Sequence, residues 1–266
     1  MLAVKAVLIF FLCIPCFCRA NETIRLAVGE WVPYVIDDPK NPGIATTILK
    51  EAFAVKGIDV VIEFYPWPRA IELAKTGQVA GSFALAKTEE RNKYFLYSDT
   101  MFAGEYVFFH LKSFPFEWKT LDDLKEVKLA TTRGYGGMGD PFLKAEAQGK
   151  LLVDRVASDE QSFNMLRSSR VQAVPSELKV GYVWIKKLFG KDAELFIHHP
   201  RPLKENEYHL LISTKNKDAE RLILLFNEGL KHLHKTGRYV QIFREAYETP
   251  LYQNSIPKRY LVLPKN

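Results

Sequence analysis

The stretch of residues 79–99 constrains the fold most, because it joins an apolar strand to a charged segment that contains Arg91. Its first part, residues 81–86, is small and apolar throughout, which is typical of a strand covered on both faces in a parallel or mixed sheet. Thr88 is a suitable N-cap, so the sequence predicts a helix that begins there. A buried strand followed by a helix indicates an α/β fold.

Arg91 would lie in the first turn of that helix, where the helix dipole disfavours a cation by about 0.3–1 kcal/mol if it is exposed. Beside a strand end and free backbone N–H groups, its planar guanidinium can hold a carboxylate through two hydrogen bonds. The alternative is an ordinary surface ion pair with Glu90 or Asp99. The local sequence leaves both interpretations open.

Residues 1–20 have the features of a secretory signal peptide: an early cation, Lys5, and then an apolar run over residues 6–18. The run is shorter than the roughly 20 residues that a membrane span needs. All three cysteines lie in this segment, without the spacing that a lipoprotein requires. We therefore expect cleavage near Ala20 and a secreted, thiol-free product. An uncleaved anchor and a lipoprotein are the alternatives.

The charge pattern gives little support to nucleic-acid binding. Without Lys5 and Arg19 the chain has 35 cations against 31 acids, a net charge of +4, and the cations form no basic block. The histidines show no metal-ligand spacing with nearby acids. We expect no metal and no cofactor.

The order of the elements predicts two linked α/β units. Residues 23–28 and 60–64 predict strands with a helix between them, which implies a right-handed crossover and a parallel pair. Residues 105–111 and 207–213 predict two long strands about a hundred positions apart. We expect these two strands to form paired crossings between two lobes. The strands predicted for the second unit are residues 128–132, 151–156 and 171–174.

Residues 88–91 form a T-x-x-R pattern, and the chain resembles the bacterial extracellular solute-binding proteins of family 3, the polar amino acid type, over nearly all of its predicted mature length. The resemblance implies a monomeric, type II periplasmic binding protein-like clamp with two hinge crossings. Lobe 1 would comprise residues 21–106 and 212–266, and lobe 2 would comprise residues 107–211.

The resemblance also implies roles for particular residues. In that family the Arg of the motif, here Arg91, holds the ligand α-carboxylate. Trp31, in an aromatic-x-Pro-aromatic loop, would cover the ligand, although a core aromatic is the alternative. Glu177 falls at the position of the acid that pairs with the ligand ammonium, with a solvated first-turn glutamate as the alternative. The other candidates for ligand contact are Trp67, Arg69, Phe83 and Tyr135.

Ala84 and Ala86 stand where amino acid binders of the family have hydroxyls, so backbone N–H groups and Arg91 would have to hold the anion. The expected function is a non-enzymatic, periplasmic solute-binding protein for a small polar or anionic metabolite, an amino acid among the options. Its partner would be the membrane permease of an ABC-type transporter. The alternatives are a cyclohexadienyl dehydratase-like enzyme, with a base near the position of Glu177, and a ligand sensor for a membrane receptor.

Overall fold

The computed structural model describes residues 22–264, so the predicted signal peptide lies outside the described residues. None of the helices in this range is long and apolar enough to cross a membrane. The strands are β1 Glu22–Val28, β2 Ile58–Phe64, β3 Gly81–Ala86, β4 Phe95–Tyr97, β5 Phe102–Leu111, β6 Lys128–Thr132, β7 Leu152–Val156, β8 Val174–Glu177, β9 Phe196–His198 and β10 Lys204–Ser213. The α-helices are α1 Ile44–Ala54, α2 Trp67–Lys75, α3 Asp140–Ala147, α4 Asp159–Arg167, α5 Leu178–Phe189, α6 Ala219–Lys235, α7 Arg238–Tyr247 and α8 Pro250–Ser255.

The first lobe is built on the strand order β2-β1-β3-β10, with β4 also paired to β10. β1 and β2 are parallel, with Glu22 opposite Ile58 and Val28 opposite Phe64, which confirms the predicted parallel pair. β3 is buried along its whole length, as its small apolar residues predict. The segment that contains Arg91 therefore follows a buried strand inside the sheet.

The two long strands β5 and β10 pair antiparallel, from Phe102 opposite Tyr208 to Tyr106 opposite Lys204. This confirms the predicted crossings, and both strands begin three residues earlier than predicted. Beyond the shared region β10 pairs with β3 and β4, whereas β5 pairs with β8 and β9. Each of these two strands therefore runs from one lobe into the other. The parallel pair β6–β7 completes the second lobe.

Two local predictions were wrong. Thr88 does not begin an α-helix: a short 3₁₀ turn, Arg91–Lys93, follows it, and the chain then returns to the sheet as β4 because β10 offers a free edge there. The strand predicted at residues 171–174 lies three residues further along the chain as β8, so Ser176 is inside that strand and Glu177 is the N-cap of α5.

The division into lobes at the predicted boundaries stays a prediction. The C-terminal segment, which that division assigns to lobe 1, also contacts lobe 2. The Tyr260 ring stacks on Tyr182 with centroids 5.5 Å apart, and its hydroxyl lies 3.3 Å from Nε2 of His198. The chain end therefore makes a third connection between the lobes, beside the two crossing strands.

Candidate functional site

The two lobes meet around a small cavity of about 20 Å³, room for roughly one water molecule. Lobe 1 contributes the end of β3, and lobe 2 contributes the glycine-rich turn over residues 134–137. The side chains that determine its character are five aromatic rings and one guanidinium: Trp31, Trp67, Arg91, Tyr106, Tyr135 and Tyr208.

Arg91 connects the lobes at this cavity. Its backbone N–H donates to the Thr88 hydroxyl over 3.2 Å, which places the side chain at the end of β3. Nη1 donates to the carbonyl of Ala86 in lobe 1, and Nη2 to the carbonyl of Gly134 in lobe 2, both over 2.9 Å. Burial lowers the pKa of Arg91, although an arginine stays charged in a protein. The site therefore contains a buried cation held by neutral acceptors.

The glycines of the turn allow this close approach. A Cβ on Gly134 would lie 2.8 Å from Cβ of Trp67, and one on Gly136 would lie 3.0 Å from Cγ2 of Thr88. Gly134 also has a φ of 86°, which a side chain disfavours. The turn can therefore pack closely against the first lobe, because these two positions carry no side chain.

Tyr135 extends from the turn toward lobe 1. Its ring centroid lies 6.5 Å from that of Trp31 and 6.2 Å from that of Trp67, with both pairs edge to face. Its hydroxyl donates to Oδ2 of Asp159 over 2.6 Å, and Thr132 donates to the other oxygen over 3.2 Å. Tyr135 is therefore anchored to lobe 2 while its ring contacts lobe 1.

Asp159 was not identified from the sequence. It directly follows the N-cap Ser158, and acids are so common in the first turn of a helix that the position gave no signal. Burial raises the pKa of Asp159 to about 6, although hydrogen bonds from Tyr135 and Thr132 oppose the shift.

Glu177 is completely buried and does not line the cavity. Oε1 accepts a hydrogen bond from the Tyr34 hydroxyl over 2.9 Å, and Oε2 accepts from the backbone N–H groups of Lys179 and Val180 over 2.8 and 2.9 Å. Burial raises the pKa of Glu177. Its carboxylate caps α5 and contacts the first lobe.

The structure thus brings four of the predicted site residues together at the cavity: Trp31, Trp67, Arg91 and Tyr135. Phe83 is completely buried in the core of β3, and Arg69 is exposed on α2; neither lines the cavity. The predicted roles of all seven residues in ligand binding remain predictions.

Ala84 lines the cavity in an unusual backbone conformation. Its φ is 57°, and it lies at a β-bulge, because Phe83 and Leu85 pair with successive residues of β10. An L-residue in this region costs about 1–2 kcal/mol. Strained backbone of this kind is typical of functional sites.

The chain belongs to the bacterial extracellular solute-binding proteins, family 3, because the family's model matches residues 24–249. It is therefore a solute-binding protein, and its family places it outside the cytoplasm, in the periplasm or secreted. A comparison with curated proteins found no match.

Solved structures have the same fold. A histidine kinase sensor domain with similarity to periplasmic binding proteins superposes with a TM-score of 0.74 at 18% identity, covering 86% of this chain and 97% of that one. An ancestral arginine-binding protein bound to arginine gives 0.70 at 20% identity, covering 86% and 99%. An ancestral amino acid-binding protein, a precursor of cyclohexadienyl dehydratase, gives 0.66 at 18% identity, covering 85% and 95%. The fold is the two-lobed type II clamp.

Proposed function

We propose that the protein captures a small anionic or polar metabolite between its lobes in the periplasm and delivers it to the membrane permease of an ABC-type transporter. The observation that carries the proposal is the buried guanidinium of Arg91 at the contact of the two lobes. A carboxylate is a much stronger partner for a guanidinium than a carbonyl, because both charges are then compensated. Membership of the solute-binding family supports the same role.

Closure around the metabolite is part of the proposal. The crossing strands β5 and β10 and the contacts between the lobes fit a hinge-bending clamp, in which opening would enlarge the small cavity. The arginine-bound neighbour supports metabolites of amino acid size as candidates.

A dehydratase activity, as in the enzyme that descended from the ancestral neighbour, would need a general base at the cleft. Among the described residues, those that line the cavity include no Asp, Glu or His. This favours binding over catalysis. The likeness to a histidine kinase sensor domain favours a second candidate, a ligand sensor for a membrane receptor.

The test begins with native mass spectrometry of protein from the periplasmic fraction, to identify a metabolite that purifies with it. Small-angle scattering should then show a smaller radius of gyration with that metabolite than without it. A metabolite that purifies with the protein but leaves its radius of gyration unchanged would contradict the proposal, and so would turnover in a dehydratase assay. Uptake of the metabolite that depends on a permease would support the transport role. A response of a membrane receptor would support the sensor role.

Calorimetry with the identified metabolite tests Arg91 itself. Removing one partner of a buried ion pair costs about 3–5 kcal/mol, so Arg91→Ala should weaken binding by two to three or more orders of magnitude. Arg91→Lys should recover only part of the affinity, because an ammonium lacks the bidentate geometry. Arg133→Ala, which removes an exposed cation of the same turn, is the matched control. Binding to Arg91→Ala within about threefold of the parent, under roughly 0.7 kcal/mol, would contradict the role of Arg91.

A further inference from the structure

The residues that line the cavity carry charge of one sign. Among the lining residues in the described part of the chain, Arg91 is the only cation, and none has a carboxylate. The two nearby buried acids are already hydrogen-bonded to tyrosines: Asp159 to Tyr135, which lines the cavity, and Glu177 to Tyr34, which does not. A ligand in this cavity would therefore meet a positive charge and no negative one.

The unpaired polar groups of the lining are hydrogen-bond donors. The indole N–H groups of Trp31 and Trp67 and the hydroxyl of Tyr208 have no hydrogen-bond partner, although each side chain is more than nine-tenths buried. Tyr135 is a polar neighbour of the Trp67 indole, and Asn206 is a polar neighbour of the Tyr208 hydroxyl. Neither contact has the geometry of a hydrogen bond. Buried donors without partners favour a ligand rich in acceptor atoms.

The aromatic rings around the cavity determine which shape of ligand fits. Tyr135 presents its ring to Trp31 and Trp67, and its hydroxyl is held by Asp159 of the same lobe. When the lobes separate, this ring therefore moves away with lobe 2 and leaves a slot between aromatic surfaces. A planar apolar group fits such a slot well, because aromatic rings stack favourably.

Building on the proposed solute-binding function, we propose that the ligand is a monocarboxylate with a planar apolar body and no ammonium group. Its carboxylate pairs with Arg91, and its body lies between Tyr135 and the two tryptophans. An ammonium in the same place would be buried without a charged acceptor, which costs a large part of the binding free energy. The absence of side-chain hydroxyls at Ala84 and Ala86 agrees with this class.

A matched pair of compounds tests the proposal by calorimetry on the mature protein. 3-Phenylpropanoate and L-phenylalanine differ only in the α-ammonium group. We expect 3-phenylpropanoate to bind and L-phenylalanine to bind at least about tenfold more weakly, because its ammonium has no partner. 2-Phenylethylamine, which has the ammonium and no carboxylate, should not bind. L-Phenylalanine binding as tightly as 3-phenylpropanoate, or more tightly, overturns the proposal.

Variants of Arg91 test whether 3-phenylpropanoate binds at the proposed cavity. Arg91→Ala should abolish 3-phenylpropanoate binding and Arg91→Lys should weaken it, whereas Arg133→Ala should leave it unchanged. Binding that survives in Arg91→Ala overturns the proposal, with circular dichroism confirming that the variant is folded. If neither compound binds and an amino acid purifies with the protein, the ligand class is wrong while the solute-binding function stands. If nothing binds, nothing co-purifies and the radius of gyration never changes, both proposals fail.

Discussion

The hydroxyl of Tyr34 donates a hydrogen bond of 2.9 Å to Oε1 of Glu177, and this contact ties the first lobe to the N-cap of α5 in the second. Both side chains are almost completely buried, at 1% and 0% exposure. One carboxylate therefore caps a helix with one oxygen and joins the lobes with the other.

Replacing Tyr34 by Phe should destabilise the protein by about 1–3 kcal/mol, because Oε1 of Glu177 loses its donor in a fully buried position. Urea unfolding measures the loss. Tyr106→Phe is the control, since Tyr106 is equally enclosed and its hydroxyl makes no hydrogen bond with any described residue. A loss no larger than that of the control would show that the Tyr34 contact contributes nothing.

Asp159 should make stability fall as the pH rises. Burial raises its pKa to about 6 from an ordinary 3.8, so the folded protein binds this proton more tightly than the unfolded chain does. The contribution of the group to stability is therefore greatest below pH 4 and is lost between about pH 4 and 6, a change of about 3 kcal/mol.

Asp159→Asn should remove that dependence, which urea unfolding at pH 4, 5, 6 and 7 will measure. The stability of the variant relative to the parent should increase with pH across this range. Asp154→Asn, at an exposed position of β7, is the matched control. Parallel pH profiles for the parent and Asp159→Asn would contradict the raised pKa.

The bulge at Ala84 predicts opposite effects for two similar substitutions. Ala84→Gly relieves a φ of 57° and should stabilise the protein by up to about 1 kcal/mol, after the entropy cost of glycine. Ala86→Gly gains no such relief and should cost about 0.5–1 kcal/mol. Thermal unfolding of both variants is the measurement, and equal losses in the two would show that Ala84 is not strained.

Gly136→Ala should favour the open clamp without unfolding either lobe. The added Cβ would lie 3.0 Å from Cγ2 of Thr88 and 3.4 Å from Nη1 of Arg91, both in the opposite lobe. Such overpacking costs about 1–3 kcal/mol, and here it acts on the closed contact alone. Small-angle scattering should show a larger radius of gyration than in the parent.

Gly149→Ala is the control for this effect, because its Cβ would meet nothing within 4 Å although its φ is 69°. That variant should lose stability and keep the parent's radius of gyration. An unchanged radius in Gly136→Ala would mean that the turn does not control closure.

Much of the fold could be predicted because it depends on short-range patterns. β6 lies at its predicted residues, Lys128–Thr132, and β1 covers the predicted residues 23–28. Such strands follow from the pattern of apolar and polar side chains over a few neighbouring residues, and the linear sequence contains all of that information. The lobe crossings were predictable for a related reason, since their apolar, β-branched and aromatic runs are long enough to require a strand.

The site depended on contacts that no local pattern contains. The sequence by itself determined that Arg91 follows a buried strand and that a glycine-rich turn follows β6. Only the tertiary structure brought the carbonyl of Gly134 to this guanidinium and the Tyr34 hydroxyl to Glu177. The second of these pairs is 143 positions apart, and such contacts form only when the two lobes come together, because burial then makes each polar group take whichever partner the opposing surface offers.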